Sequence, residues 1–472
     1  MKSINNIFKK VCILAIVTSM AGCDMLDTKP YDFVAPETFY KNETDCTMAL
    51  AGVYWTMAAE HVYGNRYSCM LSNIDDLSYY YRQNQTSAVV ANSHNTGNTD
   101  LWYTWESLYS GINNANVLLD NIDGASISDE KVRARIKGEA KFLRAYYHFL
   151  LVQVWYEETV KDITVSSLEA TPHAEALDWI IQEMEDCLDM VDNSSYDQSP
   201  SHVKKTVVEG ILARVCLWRA GEPSKGGKPY YEKAAKYAKA VYDSKKHKLN
   251  PDVYAMWQAL ASDQYETTYN ESMWEVEFVG TRDDGSYTES RIGNVIGNLQ
   301  ENSAGTGAGY TYAFYAGSLI LWDLYDAKDA RRDLAMAPYK LNNKDVQVAW
   351  KDNQIVDRRC GKYRREWESS SPKHKNYTQE NYCLLRYADV LLMLAEAENE
   401  ANQGPTALAY TCINEVRKRA GIDEVKDLSY GDFQKLIRDE RGRELCFESL
   451  RKYDLVRWGI YYKAIKENVG AA

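Results

Sequence analysis

Acidic side chains are the residues of this sequence with the clearest capacity for chemistry. The chain contains 67 Asp and Glu residues, and a glycoside hydrolase needs only two carboxyl groups a few ångströms apart. Asp75 and Asp76 lie in an irregular segment and form the most suggestive pair. Adjacent acids in a loop, however, are usually solvated or form a turn. The pair therefore favours a structural role over a hydrolase site, and we expect no catalytic residue.

Other patterns that carry chemistry are missing from the sequence. The seven histidines are far apart, so none of them forms the one-turn pair of a zinc metalloprotease. There is no Gly-x-Ser-x-Gly nucleophile elbow and no phosphate-binding Gly-x-x-x-x-Gly-Lys loop. The sequence therefore predicts no metal site and no cofactor.

The first 22 residues have the pattern of a secretory signal. Lys2, Lys9 and Lys10 precede a short apolar run, and small residues then lead to Cys23. The apolar run is too short to span a bilayer core of about 30 Å. Small residues before a cysteine favour its lipidation, and two or more acyl chains hold a protein firmly on a membrane. The sequence thus predicts a signal peptide at 1–22 and a lipid anchor at Cys23.

The composition limits the classes of partner. The formal charge is −12, and removal of a leader with three lysines brings it to −15. This balance disfavours nucleic acid, whose phosphates need Lys and Arg, and anionic ligands in general. The 36 Tyr and 12 Trp residues supply large rings that suit wet binding surfaces as well as cores.

The eight cysteines beyond Cys23 are scattered, so we expect buried free thiols rather than a disulfide framework.

Helical periodicity runs through most of the chain. Apolar residues from Trp105 onwards recur at helical spacing until Gly124, and a second helix is predicted to open with Ser128 as its N-cap. Further helices are predicted at about 172–192, 203–220, 229–245, 383–402, 405–420 and 430–448. Helices paired in this way suggest stacked tetratricopeptide-like units. We therefore expect a mainly α fold, a tetratricopeptide-like helical-repeat superhelix.

Two stretches, about 61–100 and about 270–380, break this pattern with Asn, Ser, Gly and Tyr. Long irregular segments inside a compact body are usually functional, so a ligand site is expected there. The mature chain then divides into an N-terminal region, 23–220, and a C-terminal region, 221–472, which carries the second irregular stretch as an insert.

Several long segments resemble the SusD/RagB family. In the C-terminal half they are NYCLLRYADVLLMLAEAENE at 381–400, INEVRKRAGI at 413–422 and IRDERGRELCFESLRKYDLVRWG at 437–459. In the N-terminal half they are WESLYSGINNANVLLDNI at 105–122, GEAKFLRAYYHFLLVQVW at 138–155 and KKTVVEGILARVCLWRAG at 204–221. The matches keep their order behind a cysteine suited to lipidation, so the resemblance spans nearly the whole mature chain.

The resemblance implies a SusD-like lipoprotein of the outer membrane that faces the cell exterior. Such a protein covers a SusC-like TonB-dependent transporter and passes it a glycan or, in some relatives, a peptide. A RagB-like peptide binder is therefore the main alternative, while a scaffold without a small ligand or a glycoside hydrolase is less favoured. Two departures concern local structure: Glu157-Glu158-Thr159 replaces the usual Gly-Gly-x-Pro turn, and Cys446 and Ser449 replace residues that are more often Ala and Gly.

The signature residues of this resemblance are predicted to be structural. Arg386, Arg457 and Trp458 are expected to fix helix junctions. Asp439 and Arg443, at positions i and i+4, suit a salt-bridged helix rather than an anion site. Ligand contacts vary too much within the family to be carried over by position.

The chemistry of the ligand nevertheless indicates candidate residues. Sugars present flat apolar C–H faces rimmed by hydroxyl groups, so a neutral glycan favours exposed Tyr or Trp rings beside polar side chains. The candidates in or beside the irregular stretches are Arg66, Tyr67, Tyr79, Tyr80, Tyr81, Asn98, Trp102, Tyr310, Tyr312 and Tyr315.

Overall fold

A computed structural model describes residues 39–82, 87–157, 159–162, 169–193, 199–279, 290–302, 307, 309–371 and 373–468. The signal peptide and Cys23 lie outside these residues, so the leader and the lipid anchor stay predictions, as does the division at residue 220. The described chain is mostly helical, which confirms the predicted fold class. Among these residues, no helix is long and apolar enough to cross a membrane.

The N-terminal half is built from helices that pack against their neighbours in sequence. They are α1 (Glu43–Ala58), α2 (Thr99–Asn121), α3 (Glu130–Trp155), α4 (His173–Glu185), α5 (Lys205–Ala220) and α6 (Lys228–Ser244). Helix α2 contacts α1 and α3, α3 contacts α4, and α5 contacts α6. The N-cap of α3 is Asp129 rather than the predicted Ser128, because the Asp129 carboxylate accepts the backbone N–H of Lys131.

The C-terminal half is centred on one buried helix. Its helices are α7 (Ala255–Ser262), α8 (Ile292–Val295), α9 (Leu319–Leu324), α10 (Arg332–Ala335), α11 (Tyr387–Asn402), α12 (Ala407–Arg419), α13 (Tyr430–Leu445), α14 (Arg451–Arg457) and α15 (Tyr461–Asn468). Helix α11 is almost entirely buried and contacts α5 and α6 on one side and α12 and α13 on the other. It therefore joins the two halves into one core, which also takes up the eight described cysteines as buried thiols.

Short antiparallel strand pairs connect distant parts of the chain. The described pairs are β1 (Ser78–Tyr80) with β3 (Tyr315–Gly317), β2 (Ser272–Val276) with β6 (Tyr382–Arg386), and β4 (Tyr339–Leu341) with β5 (Gln347–Ala349). The predicted helix at 383–402 is wrong at its start, because residues 382–386 are extended and pair with β2. Every residue of both strands is buried, and a short apolar run buried on both faces has no period that separates strand from helix.

Buried ion pairs tie the C-terminal helices together. Arg386 at the end of β6 contacts Glu444 of α13 at 2.6 Å. Arg457 of α14 contacts Glu396 of α11 at 2.5 Å, and Trp458 Nε1 donates to the same carboxylate at 2.8 Å. These contacts confirm that Arg386, Arg457 and Trp458 fix junctions between elements.

The charged run in α13 faces inward more than the sequence suggests. Arg443 pairs with Glu440 at 2.8 Å, not with Asp439, so the predicted i, i+4 pair is wrong. Glu440 is fully buried and also contacts Arg331 at 2.7 Å and Arg417 at 2.9 Å. A buried carboxylate needs such partners, and this need outweighs the helical spacing that favours Asp439.

Two residues at or directly beside the departures from the family pattern have a positive φ. Tyr156, after α3, has φ of 68°, and its ring stacks on His173 with centroids 4.4 Å apart. Ser449 has φ of 59°, and its hydroxyl donates to the Ser68 carbonyl at 2.8 Å and accepts from Asn73 at 3.1 Å. Glycine adopts this conformation at least cost, so these contacts offset a strain that glycine would avoid.

Candidate ligand-binding surface

An extended segment before β3 directs alternate side chains to opposite sides. The odd-numbered residues from 309 to 315 are buried, whereas Tyr310, Tyr312 and Phe314 are half-buried. Neighbouring rings in this row have centroids 5.2 Å apart. The alternation of buried and half-buried side chains is not that of a regular strand, because Ala313 has a φ of 46°. It puts Tyr315 in the core, so we remove it from the ligand candidates, and it adds Phe314, which the sequence reasoning missed.

The pairing of β1 with β3 brings a predicted tyrosine of the first irregular stretch next to this row. Tyr80 lies opposite Tyr315 in the register, is half-buried, and has its ring centroid 5.4 Å from that of Phe314. The two irregular stretches therefore meet in space, as expected of a shared site. We call Tyr80, Tyr310, Tyr312 and Phe314 the aromatic surface.

Tyr79 and Tyr81 flank this surface and contact residues 356–359. The Tyr79 hydroxyl donates to the Val356 carbonyl at 2.6 Å, and the Tyr81 hydroxyl donates to the Asp357 carboxylate at 3.0 Å. The guanidinium of Arg359 lies 3.7 Å from the centroid of the Tyr81 ring. Burial raises the pKa of Tyr79 to about 12, so its phenol stays protonated and keeps its hydrogen bond. These contacts fix the orientation of both rings.

Two buried side chains donate hydrogen bonds to the backbone of the aromatic surface. The guanidinium of Arg365, which is fully buried, donates to the Tyr310 carbonyl at 2.6 Å and to the His374 and Tyr377 carbonyls at 2.7 and 3.2 Å. Asn294 Nδ2 donates to the same Tyr310 carbonyl at 3.0 Å. Arg365 therefore sets the position of the aromatic row relative to the segment 373–377.

Cationic side chains lie over the rings of the aromatic surface. The distances from cation to ring centroid are 5.0 Å for Arg82 over Phe314, 5.7 Å for Arg291 over Tyr312 and 5.7 Å for Lys375 over Tyr310. All three lie within the range of about 6 Å over which a cation is attracted to a ring face. The surface thus combines apolar faces with positively charged groups.

A second exposed aromatic group lies on α2. Trp102, Trp105 and Tyr109 recur at i, i+3 and i+7 and share one helix face. Trp102 is 56% exposed and stacks on Trp105 with centroids 5.7 Å apart, and the Trp105 ring lies 4.5 Å from that of Tyr109. We call these residues the tryptophan stripe. The Asn98 side chain accepts two backbone N–H groups of the first turn of α2, so this candidate positions the helix that carries the stripe.

Two π-helical turns, Glu60–Gly64 and Arg66–Leu71, link the stripe to the aromatic surface. The hydroxyl of Thr104 in α2 donates to the His61 carbonyl at 2.9 Å. On the other side, the backbone N–H of Arg291 donates to the carbonyl at the end of the first turn at 2.8 Å. The first irregular stretch is therefore held between both aromatic groups.

Two predicted residues in these turns have different surroundings. Arg66 is half-buried, with its guanidinium 3.5 Å from Asp100 and 3.8 Å from Glu60, and it stays a ligand candidate. Tyr67 is only 3% exposed, and its hydroxyl donates to Gln153 at 3.1 Å. Its ring packs in the core, so we remove Tyr67 from the candidates.

A cleft of about 230 Å³ adjoins the aromatic surface beside Tyr80 and is also lined by Asp75. Burial and the neighbouring Asp76 raise the pKa of Asp75 to about 6. Asp75 accepts two backbone N–H groups at 2.9 and 3.0 Å and so forms the turn that the sequence suggested. Asp76 is bound by the guanidinium of Arg451 at 2.7 and 2.8 Å. Both carboxylates therefore serve the structure of this segment.

Comparison with known proteins assigns the family. The SusD family model matches residues 339–472, and a second model, described as starch-binding associating with the outer membrane, matches residues 24–217. A SusD homolog from Bacteroides thetaiotaomicron has the same fold, with a TM-score of 0.85 and 27% identity over 92% of this chain and 90% of that one. The chain belongs to the SusD-like family.

Other SusD-like proteins match along nearly their whole length. One from Formosa agariphila is 25% identical over 476 residues, which cover 95% of this chain and 90% of the relative. A laminarin-binding SusD-like protein superposes with a TM-score of 0.73 at 22% identity, over 91% of this chain and 94% of its own. The second match shows a shared fold alone. Family membership confirms the resemblance that the helical signature segments indicated.

Proposed function

We propose that this SusD-like protein binds a glycan on the aromatic surface and the tryptophan stripe, and delivers it to a SusC-like TonB-dependent transporter. Lipidated Cys23 would hold the protein on the outer membrane, facing the cell exterior. The observation that carries the proposal is the row of half-buried rings formed by Tyr310, Tyr312 and Phe314. It lies where two irregular stretches meet, with polar and charged groups at its edges.

The arrangement of the rings suits sugar binding because it is held in place before any ligand arrives. Sugar rings offer flat C–H faces that pack against aromatic faces, and their hydroxyl groups need donors and acceptors at the rim. Tyr312 supplies an aromatic face and a polar group at its rim, since its ring is half-buried and its hydroxyl donates to Asn376 at 3.0 Å. The backbone contacts of Arg365 reduce the ordering cost of binding.

Calorimetry and affinity electrophoresis against a panel of polysaccharides and peptides test the proposal. We expect Tyr312→Ala and Phe314→Ala each to weaken glycan binding by about tenfold, which corresponds to the loss of one well-packed ring face. Tyr462→Ala is the matched control, because this tyrosine lies on α15 and is 78% exposed. The control variant should bind as the wild type does.

Other outcomes on the same panel separate the alternatives. Binding to peptides alone would favour a RagB-like peptide-binding member, and binding to nothing would favour a scaffold. Turnover of a panel glycan would favour a hydrolase and contradict the binding role. Binding that is equally strong in the ring variants would place the site elsewhere.

The membrane and transporter parts of the proposal need separate measurements. Cys23→Ser should release the protein from the membrane fraction, because the diacylglycerol is attached to the thiol. Purification of the wild type from native membranes should recover a TonB-dependent barrel at equal stoichiometry. Recovery of the lipoprotein without any barrel would contradict the delivery role and leave the glycan-binding role to the panel above.

A further inference from the structure

Cationic side chains lie over the aromatic surface although the chain as a whole is acidic. The formal charge of the chain is −12, yet Arg82, Arg291 and Lys375 all lie over the rings of this surface. Local charge, not net charge, sets the potential that a bound ligand meets. The acidic balance of the sequence therefore does not decide which ligands this surface accepts.

Two of these cations differ from the arginines that hold the fold together. Arg386 and Arg457 each contact buried carboxylates. In the part of the chain that the structure describes, Arg291 and Lys375 form no ion pair. Lys375 is exposed and Arg291 is half-buried, and a cation without an ion pair keeps its charge available to an incoming anion.

The guanidinium of Arg291 also has a donor to spare. Its Nε is buried and has no hydrogen-bond partner among the described residues, and its Nη2 makes a long contact of 3.4 Å with Asn294. A buried donor without an acceptor costs free energy. The outer nitrogens of a guanidinium match the two oxygens of a carboxylate or sulfate, and among the described residues those of Arg291 make only the long contact with Asn294.

Three carboxylates, those of Glu366, Glu368 and Glu380, lie close together around Arg365. Glu368 is buried against Arg365 at 2.8 Å. Glu366 accepts from Gln300 at 2.9 Å and from Tyr339 at 2.7 Å. Glu380 is buried with no hydrogen-bond partner for either carboxylate oxygen among the described residues, and burial raises its pKa well above its usual value, which favours the neutral form. In the described part of the chain, none of the three carboxylates forms an ion pair with Arg291 or Lys375.

We propose that the aromatic surface recognises a glycan whose sugars carry negative charge, with Arg291 and Lys375 contacting the anionic groups and Tyr312 packing against a sugar face. This inference rests on the proposed function of the same surface and names the class of glycan. Uronic acid carboxylates and sugar sulfates share the chemistry that would satisfy these cations.

Matched pairs of polysaccharides test the inference by calorimetry. Polygalacturonate is compared with its fully methyl-esterified form, and dextran sulfate with dextran, so that the two members of each pair share a sugar backbone and only one of them carries the anionic groups. We expect the charged member of at least one pair to bind and the neutral member to bind much more weakly. Binding should also weaken towards 1 M salt, where charges are screened over about 3 Å. The pair that responds tells carboxylates from sulfates.

Charge-removing variants locate the effect. We expect Arg291→Gln and Lys375→Gln each to weaken binding of the charged glycan by about fivefold, the upper range for one exposed ion pair. Lys131→Gln is the matched control, because it removes the same charge from an exposed site in the first turn of α3. Lys375 is exposed, so its variant keeps the test valid even if Arg291→Gln fails to fold.

Equal binding of the charged and neutral members would overturn the inference and leave the glycan-binding role intact. Charged binding that both variants leave unchanged would also overturn it, because the anionic groups would then bind elsewhere. If no glycan of any charge binds, the proposed function itself fails, and the inference fails with it.

Discussion

Replacing Arg365 by methionine should damage both the stability of this SusD-like protein and its ligand surface. Arg365 is fully buried and pairs with Glu368 at 2.8 Å. The same guanidinium donates to the carbonyls of Tyr310, His374 and Tyr377. Methionine keeps much of the side-chain volume and removes every one of these hydrogen bonds. The substitution therefore tests charge and hydrogen bonding more than packing.

The expected loss follows from what the substitution leaves behind. Breaking a buried ion pair by removing one partner costs about 3–5 kcal/mol, because the other charge stays buried without compensation. Burial already raises the pKa of Glu368, while Arg365 lowers it. Without Arg365 this pKa rises further, and the carboxylate can escape the penalty by taking up a proton. The loss of unfolding free energy should thus be about 3–5 kcal/mol at pH 7 and smaller at pH 5.

Urea unfolding at pH 5 and pH 7 measures this loss, with Lys137→Met as the control. Lys137 pairs with Asp123 at 2.9 Å, but the Asp123 side chain is 66% exposed, so the control should lose less than about 1 kcal/mol. Calorimetry in the absence of urea should also show weaker glycan affinity for Arg365→Met, by about tenfold, because the Tyr310 carbonyl keeps only the Asn294 donor and the segment 373–377 loses its link to it. Unfolding within 1 kcal/mol of the wild type at pH 7, with unchanged affinity, would refute this account of Arg365.

Three further substitutions probe separate features. Burial raises the pKa of Glu275 to about 7 from an ordinary 4.5, so ionisation of this carboxyl destabilises the fold as pH rises from 4.5 to about 7. In urea unfolding, Glu275→Gln should therefore raise the free energy of unfolding by about 3 kcal/mol at pH 8 and by almost nothing at pH 4. Gly297→Ala should lose about 1–3 kcal/mol in the same assay, because a Cβ there would collide with the backbone carbonyls of Gly293 and Tyr363. Trp102→Ala should weaken glycan binding about tenfold and shift the unfolding midpoint little, since the ring is 56% exposed; unchanged binding would exclude the tryptophan stripe from the site.

Helical periodicity predicted most of the helices, but it gave the wrong secondary structure where a segment is buried on all sides. The helix predicted from Trp105 to Gly124 exists because its apolar positions repeat at helical spacing, but it begins earlier, at Thr99, and ends at Asn121 before a 3-10 turn that reaches Gly124. The strand at 382–386 was not predictable, because the run Tyr-Cys-Leu-Leu-Arg is buried on both faces and has no polar side to set a period. Its partner β2 lies more than a hundred residues earlier in the chain, and only tertiary packing selects that pairing.

The sequence predicted which segments form the candidate surface, but not whether the odd- or the even-numbered residues of 310–315 face outward. The irregular stretches did identify the segments that meet at β1 and β3. Alternation along 310–315 could have indicated that one parity faces outward, yet aromatic residues occupy both, at Tyr312 and at Tyr315. Only packing of the Tyr315 ring against Tyr80 shows which parity is buried. Trp105 was not among the ligand candidates, because an apolar ring at helical spacing gives no sign in the sequence that it is exposed.

The residues that identify this family and the residues that contact its ligand obey different physical constraints. A buried charge such as Arg386 must keep its carboxylate partners Glu444 and Glu448, because leaving either side unpaired costs several kcal/mol. A half-buried ring such as Tyr312 should be exchangeable with little loss of stability, and we expect the change to appear in ligand affinity. Sequence resemblance to the family therefore identifies the residues that maintain the fold. The class of ligand has to be inferred from charges and ring faces at the surface, where Arg291 provides the most specific indication.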